Sequence, residues 1–248
     1  MSRHLIIVGA QRCGTTYLHA LLDAHPEITM ARPVRPEPKV FLSAELTARG
    51  REWYEATYFA HARAETVLGE KSTSYLEYPS AATRAASMLG SAEIIVMLRD
   101  PVARAVSNWQ FSSENGLETR PLDEALAVNL RGTQDWDPAV TSVSPFAYLE
   151  RGRYADYLDP WYERFPGTVH VRFFEELTRD AAELASLYKD LGVDASFRPD
   201  NLGRPVNTSR GAAPELAPDL VAAVRRYVAD GDARLCTILG RELPWPSR

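Results

Sequence analysis

Gly9 and Gly14 stand five positions apart, and Thr15 and Thr16 follow at once. Backbone N–H groups at the start of a helix bind clustered anionic oxygens, with the helix dipole behind them. Thr15 and Thr16 add hydroxyl donors, and Arg12 inside the loop adds charge. A nucleoside-triphosphate loop reads G-x-x-x-x-G-K-[ST], yet here Thr15 takes the place of the lysine. In triphosphate enzymes that lysine neutralises the β- and γ-phosphates, and a hydroxyl holds Mg²⁺. A loop without it suits a smaller anion load. The plain alternative is a tight turn in which the glycines serve packing alone.

Other residues extend this chemistry. Ser107 comes eight positions after Arg99, and a guanidinium fork and a hydroxyl on the next helix can converge on one phosphate. Taken singly, Arg99 could pair with Asp100, and Ser107 could be a solvated helix position. Asp100 after an apolar run also invites a metal-binding carboxylate, but Arg99 intervenes and Pro101 follows. Of 28 basic residues only Lys39, Lys71 and Lys189 are lysine. Where arginine supplies charge elsewhere, a retained lysine marks a place for a compact, proton-donating ammonium. Lys39 and Lys71 lie beside the polar clusters; Lys189 sits on a helix-like stretch. Glu37, held between Pro36 and Pro38 near Lys39, is poised to act as a general base. An exposed charge on a proline-rich loop is the alternative.

Elements must bring these residues together. Leu5–Gly9 is a continuous apolar run, as in a strand buried on both faces, and Thr15–Ala24 reads as a helix ended by His25-Pro26. Residues 31–39 carry three prolines and form an extended loop. Thr66–Leu68 is a short strand followed by Gly69-Glu70-Lys71-Ser72-Thr73-Ser74. Pro79–Leu89 reads as a helix, Ala92–Leu98 as a second buried strand, and Pro101 opens a helix through Trp109. Residues 131–146 form a mobile polar loop. Tyr154–Phe165 reads as an aromatic-rich helix, Val169–Phe173 as a strand, and Ala181–Leu191 and Pro218–Leu239 as helices. The alternation predicts an α/β fold, one domain over 1–248, with a central parallel sheet and helices on both faces. Ligands of such folds sit beyond the carboxyl ends of the strands, where Gly9–Thr16, Lys71–Ser74 and Arg99–Ser107 all fall.

The motifs resemble a known family. Gly9-Ala10-Gln11-Arg12-Cys13-Gly14-Thr15-Thr16 after an apolar strand resembles the 5′-phosphosulfate loop of sulfotransferases that use 3′-phosphoadenosine 5′-phosphosulfate (PAPS). That family usually has lysine at the place of Arg12; arginine keeps the charge but does not donate a proton. Arg99-Asp100-Pro101 with Ser107 is similar to the family's 3′-phosphate motif. Gly69–Ser74 resembles the E-K-[ST]-P segment of the heparan-sulfate-type branch, without its proline, and implies for Lys71 a place against the phosphosulfate. Pro36–Phe41 resembles that branch's acceptor-side segment, in which glutamate is the base, and so implies that role for Glu37. Val206–Gly211 resembles the basic loop that closes over the 3′-phosphate, through Ser209, Arg210 and Gly211.

The resemblance thus implies a P-loop-like enzyme, of the bacterial kind that sulfates small molecules or carbohydrates. Its catalytic set would be Glu37, Lys71, Arg12 and Lys39, the last at the bridging oxygen. Its donor set would be Arg12, Cys13, Gly14, Thr15, Thr16, Arg99, Ser107, Ser209, Arg210 and Gly211. The donor is PAPS, the product 3′-phosphoadenosine 5′-phosphate, and no metal is expected. The reaction is in-line transfer to a hydroxyl, less readily an amine, of a small natural product or glycan. An ATP–Mg²⁺ small-molecule kinase and a non-catalytic nucleotide-binding module are the rival readings.

Composition bounds the partners. A formal net charge of −5 argues against wholesale binding to nucleic acid or an anionic membrane, and leans away from a broad basic cleft for a sulfated polysaccharide. No run approaches a transmembrane span. Cys13 and Cys236 give neither a disulfide framework nor metal-ligand spacing, so a reducing, cytoplasmic setting is expected. A homodimer stays open.

Overall fold

The computed structural model describes residues 2–141, 143–204 and 214–246. In chain order the first elements are β1 (Arg3–Gly9), α1 (Thr15–Asp23), β2 (Ile28–Met30), α2 (Ala44–Ala48), α3 (Gly50–Tyr58), β3 (Val67–Lys71), α4 (Pro79–Leu89) and β4 (Glu93–Leu98). Then come α5 (Pro101–Glu114), α6 (Leu122–Asn129), α7 (Asp159–Arg164), β5 (Val169–Phe173), α8 (Phe174–Arg179), α9 (Ala181–Asp190) and α10 (Pro218–Leu239).

The five strands form one sheet in the order β2-β3-β1-β4-β5, every pair parallel. Leu5, Ile6, Ile7 and Val8 of β1 and Ile94–Leu98 of β4 are fully buried. Their apolar runs fit a sheet covered by helices on both faces, as parallel sheets require. The chain leaves β1 toward β2 on one side and leaves β4 toward β5 on the other. The carboxyl ends of these adjacent strands therefore flank the switch point where such sheets bind ligands.

Two sequence readings change. The strand read as Thr66–Leu68 runs on to Lys71, so Gly69-Glu70-Lys71 lies within it, paired Leu5↔Gly69, Ile6↔Glu70 and Ile7↔Lys71 with β1. Gly69 is there because a Cβ would stand 2.3 Å from the Met30 sulfur. The stretch read as one helix over Tyr154–Phe165 is a 3₁₀ turn, Tyr154–Tyr157, followed by α7. Pro160 explains the break: it has no N–H to donate inside a helix but fits the first turn of a new one. Between α6 and Glu150 the described residues form no helix or strand.

The chain divides into two compact units at 98/99, 156/157 and 207/208. One holds the sheet with α1–α4 and α7–α9. The other holds α5, α6 and α10 around a core of Ala105, Leu122, Leu126, Tyr148, Leu149 and Val224. Its fully buried Arg104 donates to the carbonyls of Ala147 and Tyr148 and to Asn108 Oδ1, tying α5 to the segment before Glu150.

Candidate active site

The loop after β1 is packed closely by its neighbours. Ala10 N–H donates to the Met97 carbonyl at 2.8 Å, which holds the loop to β4. A Cβ on Gly9 would meet Leu76 Cβ at 2.8 Å and the Thr73 carbonyl at 3.2 Å, so only glycine lets the segment after β3 lie this near. Arg12 and Gly14 both take left-handed backbone, φ 68° and 78°. Gly14 is the N-cap of α1, gives it no side-chain cap, and no acidic residue stands in the first turn. The positive end of the helix thus has neither a side-chain cap nor an acid in its own first turn, which suits a phosphate or sulfate oxygen. Cys13 is buried. Thr15 is buried and Thr16 half-buried.

The second cluster stands at the carboxyl end of β3. Lys71, the last residue of β3, and Thr73, in the turn that follows, both hold Glu37. Lys71 Nζ donates to Glu37 Oε1 at 2.5 Å, and Thr73 donates through its N–H to Oε2 at 3.0 Å and through its hydroxyl at 3.1 Å. The pair is largely enclosed, with the side chains 8% and 17% exposed. Glu37 is thus a gripped carboxylate, and the reading of it as a solvated loop charge does not hold. Lys39 sits two residues on with φ 51°, its N–H donating to Ser72 Oγ at 2.9 Å. The loop after β1 and the segment that holds Glu37 and Lys71 are therefore brought together: Ser72 N–H donates to the Ile7 carbonyl, and the Thr73 carbonyl abuts Gly9.

His19 was missed. It follows Thr15 by one helical turn and reads as part of the packed face of α1. It is buried, and its pKa is lowered to about 4, first by burial, against a raising influence from Asp23 and with Lys71 and Arg32 adding to the lowering. Burial therefore favours the neutral ring, and Lys71 and Glu37 lie within its electrostatic reach. No sequence signal separates it from a core histidine.

Arg99 and Ser107 belong to the other unit. Arg99 follows the last residue of β4, and its carbonyl accepts from Tyr154 Oη at 2.7 Å. Ser107 is buried on α5, not solvated. Asp100 caps α5, accepting from Val102 N–H at 2.8 Å, and its other oxygen pairs with Arg225 at 2.7 Å. Both carboxylate oxygens of Asp100 are thus engaged by its own unit. Ser209, Arg210 and Gly211 lie outside the described residues. Among the described residues no three His, Cys, Asp or Glu side chains group as a cation site would need, and no helix is long and apolar enough to cross a membrane.

Comparison with known proteins bears on the fold and the family. A crystal structure of a sulfotransferase from Alicyclobacillus acidocaldarius superimposes with a TM-score of 0.78 at 28% identity, covering 98% of this chain and 97% of that one. The bifunctional heparan sulfate N-deacetylase/N-sulfotransferase 1 of Caenorhabditis briggsae is 32% identical over 198 residues, 76% of this chain. This chain spans only 22% of that relative's length. The heparan sulfate glucosamine 3-O-sulfotransferase 3B1 of Mus musculus is 25% identical, covering 97% of this chain and 64% of its own. The sulfotransferase domain model matches residues 2–203. The chain belongs to the sulfotransferase family, enzymes that take their sulfate from PAPS.

Proposed function

We propose that the chain moves the sulfuryl group of PAPS onto a hydroxyl, in preference to an amine, of a small natural product or glycan, with Glu37 as the general base. The observation that carries this reading is the grip of Lys71 and Thr73 on Glu37, on a segment whose backbone lies against Gly9. A carboxylate and an ammonium are thus held on a segment that packs against the loop after β1, which supports the reading. The two named relatives act on heparan sulfate, one as an N- and one as a 3-O-sulfotransferase, which supports a carbohydrate acceptor.

Each residue then has a task. The N-terminus of α1 with Thr15, Thr16 and Arg12 stabilises negative charge on the sulfuryl group and the departing phosphate. That charge competes for Lys71, and a Lys71 drawn away from Glu37 leaves its carboxylate ready to take the acceptor proton. Lys39 polarises the bridging oxygen. Arg99 and Ser107, with Ser209, Arg210 and Gly211, hold the 3′-phosphate and so orient the donor. We read 1–248 as one such domain, since the family match runs through the 98/99 and 156/157 boundaries, and place it in the cytoplasm.

Glu37→Gln is expected to lower kcat about 10²- to 10⁴-fold, the range for loss of a general base. Mass spectrometry of products formed from PAPS and a panel of glucosamine oligosaccharides and hydroxylated small molecules reads both the acceptor and the loss. Undiminished transfer in Glu37→Gln would refute the base assignment. Tight ATP–Mg²⁺ binding in a calorimeter, without affinity for 3′-phosphoadenosine 5′-phosphate, would return the chain to the kinase reading.

A further inference from the structure

Glu70 precedes Lys71 on β3, so strand alternation turns it to the face opposite the Lys71 side chain that holds Glu37. Glu70 is fully buried and accepts from three hydroxyls: Ser72 Oγ at 2.6 Å and Tyr75 Oη at 2.7 Å on Oε1, and Tyr54 Oη at 2.6 Å on Oε2. Two of these hydroxyls carry the contact onward. Ser72 Oγ accepts from Lys39 N–H at 2.9 Å, and Tyr75 Oη accepts from Phe41 N–H at 3.2 Å. The acceptor-side segment 37–41 is thus clamped across the end of β3, with Glu37 on one side and the Lys39 and Phe41 amides on the other.

Burying a carboxyl group among hydroxyls is unfavourable for folding unless its oxygens are well satisfied. Burial pushes the Glu70 carboxyl up, and the hydroxyls of Ser72, Tyr54 and Tyr75 oppose that. Burial, reinforced by Glu70, also pushes the Tyr54 and Tyr75 hydroxyls well up, so both remain donors. A carboxylate is the side chain whose two oxygens can accept all three bonds. Each hydroxyl that donates to it keeps its own lone pairs for a backbone amide, and so the direction of the whole relay is set from Glu70 outward.

We propose that Glu70 is a positioning residue for sulfuryl transfer, acting through Ser72 and Tyr75 to fix segment 37–41 so that Glu37 meets Lys71 and Thr73 in register. The proposal rests on Glu37 being the base. Glu70 touches neither donor nor acceptor; its effect reaches the chemistry only through where Glu37 stands. A displacement of about 1 Å at a reacting group can cost about 10²-fold in rate.

The test is a double-variant cycle. Glu70→Gln is the direct change, and Tyr75→Phe and Ser72→Ala remove one relay hydroxyl each should the buried amide fail to fold. Tyr75→Phe and Ser72→Ala are each expected to lower kcat about 10- to 100-fold. Affinity for 3′-phosphoadenosine 5′-phosphate in calorimetry stays within about 2-fold, because the anion loop is untouched. In the Glu37→Gln background the same changes cost nothing further, since residues acting as one unit are non-additive. Losses that multiply in the double variants, or wild-type kcat in both relay variants while Glu37→Gln is impaired, would overturn the positioning role. Full activity of Glu37→Gln alone removes the base assignment and this proposal with it, a pattern distinct from either.

Discussion

At the scale of single residues, Gly14 joins two constraints that no side chain meets together. Its φ of 78° is left-handed, and an added Cβ would stand 2.2 Å from the Phe174 ring. Alanine there pays about 1–2 kcal/mol for the backbone alone and must also displace an aromatic ring packed on the loop. Gly14→Ala is expected to lose about 2–4 kcal/mol in urea unfolding and to bind 3′-phosphoadenosine 5′-phosphate at least about 10-fold more weakly. A variant with unchanged midpoint and affinity would show that this close packing does not shape the loop. The candidate site was read here from residue types. Two glycines at a fixed spacing, a missing lysine at Thr15 and a glutamate between prolines each have few structural uses. Thr73 and Glu70 were legible only as members of a motif, because their contacts depend on the face Glu70 takes on β3 and on the turn that carries Thr73. His19 was illegible, since one turn beyond Thr15 on an apolar helix is where a packed histidine also stands.

At the scale of elements, α5 shows how one carboxylate organises a helix start. Asp100 accepts from Val102 N–H and pairs with Arg225 of α10, whose side chain is 8% exposed. Losing an N-cap costs about 0.5–2 kcal/mol, and stripping a nearly buried guanidinium of its carboxylate adds to that. Asp100→Ala is therefore expected to destabilise by about 2–4 kcal/mol, while Asp100→Asn, which keeps the cap oxygen, loses about half as much. Denaturant midpoints of the two variants decide it: equal losses would mean the cap contributes nothing. Long or proline-opened elements were readable from sequence, and α4 and α10 fall at the bounds their periodicity predicted, Pro79–Leu89 and Pro218–Leu239. Elements made by tertiary context were not. β2 has three residues and exists because β3 pairs with it. The continuation of β3 through Lys71 needs β1 beside it, because Gly69 and Glu70 have little strand preference of their own. That continuation matters for chemistry, since it puts Glu70 and Lys71 on opposite faces of β3 and so separates the Lys71–Glu37 contact from the contacts of Glu70.

At the scale of the whole molecule, buried histidines tie folding to pH. His19 has a folded pKa of about 4 against an ordinary 6.5, and His4 is lowered in the same direction, also chiefly by burial. Between pH 6.5 and 4 the unfolded chain binds a proton at His19 that the folded chain refuses, so this residue's contribution to stability is intact above 6.5 and lost as pH falls toward 4. The loss amounts to about 3 kcal/mol. Asp23 and Glu37 favour the charged ring, whereas Lys71 and Arg32 oppose it. Glu70 works against the trend: its raised carboxyl pKa means the folded state takes up a proton more readily, which offsets part of the acid loss. The wild-type stability curve alone therefore mixes opposite signs. The comparison of wild type with His19→Gln isolates one of them, because glutamine keeps a polar side chain but does not titrate. Above pH 7 the two curves should run parallel. From pH 6.5 to 4 the wild type should lose about 3 kcal/mol more than the variant, and proton uptake on unfolding, read from the slope, should be nearly one proton greater at pH 5. Parallel curves throughout that interval would mean that His19 is charged in the folded protein. A positive ring beside Lys71 would then draw Glu37 toward itself, and Glu37→Gln would weaken folding at pH 5 more than at pH 8.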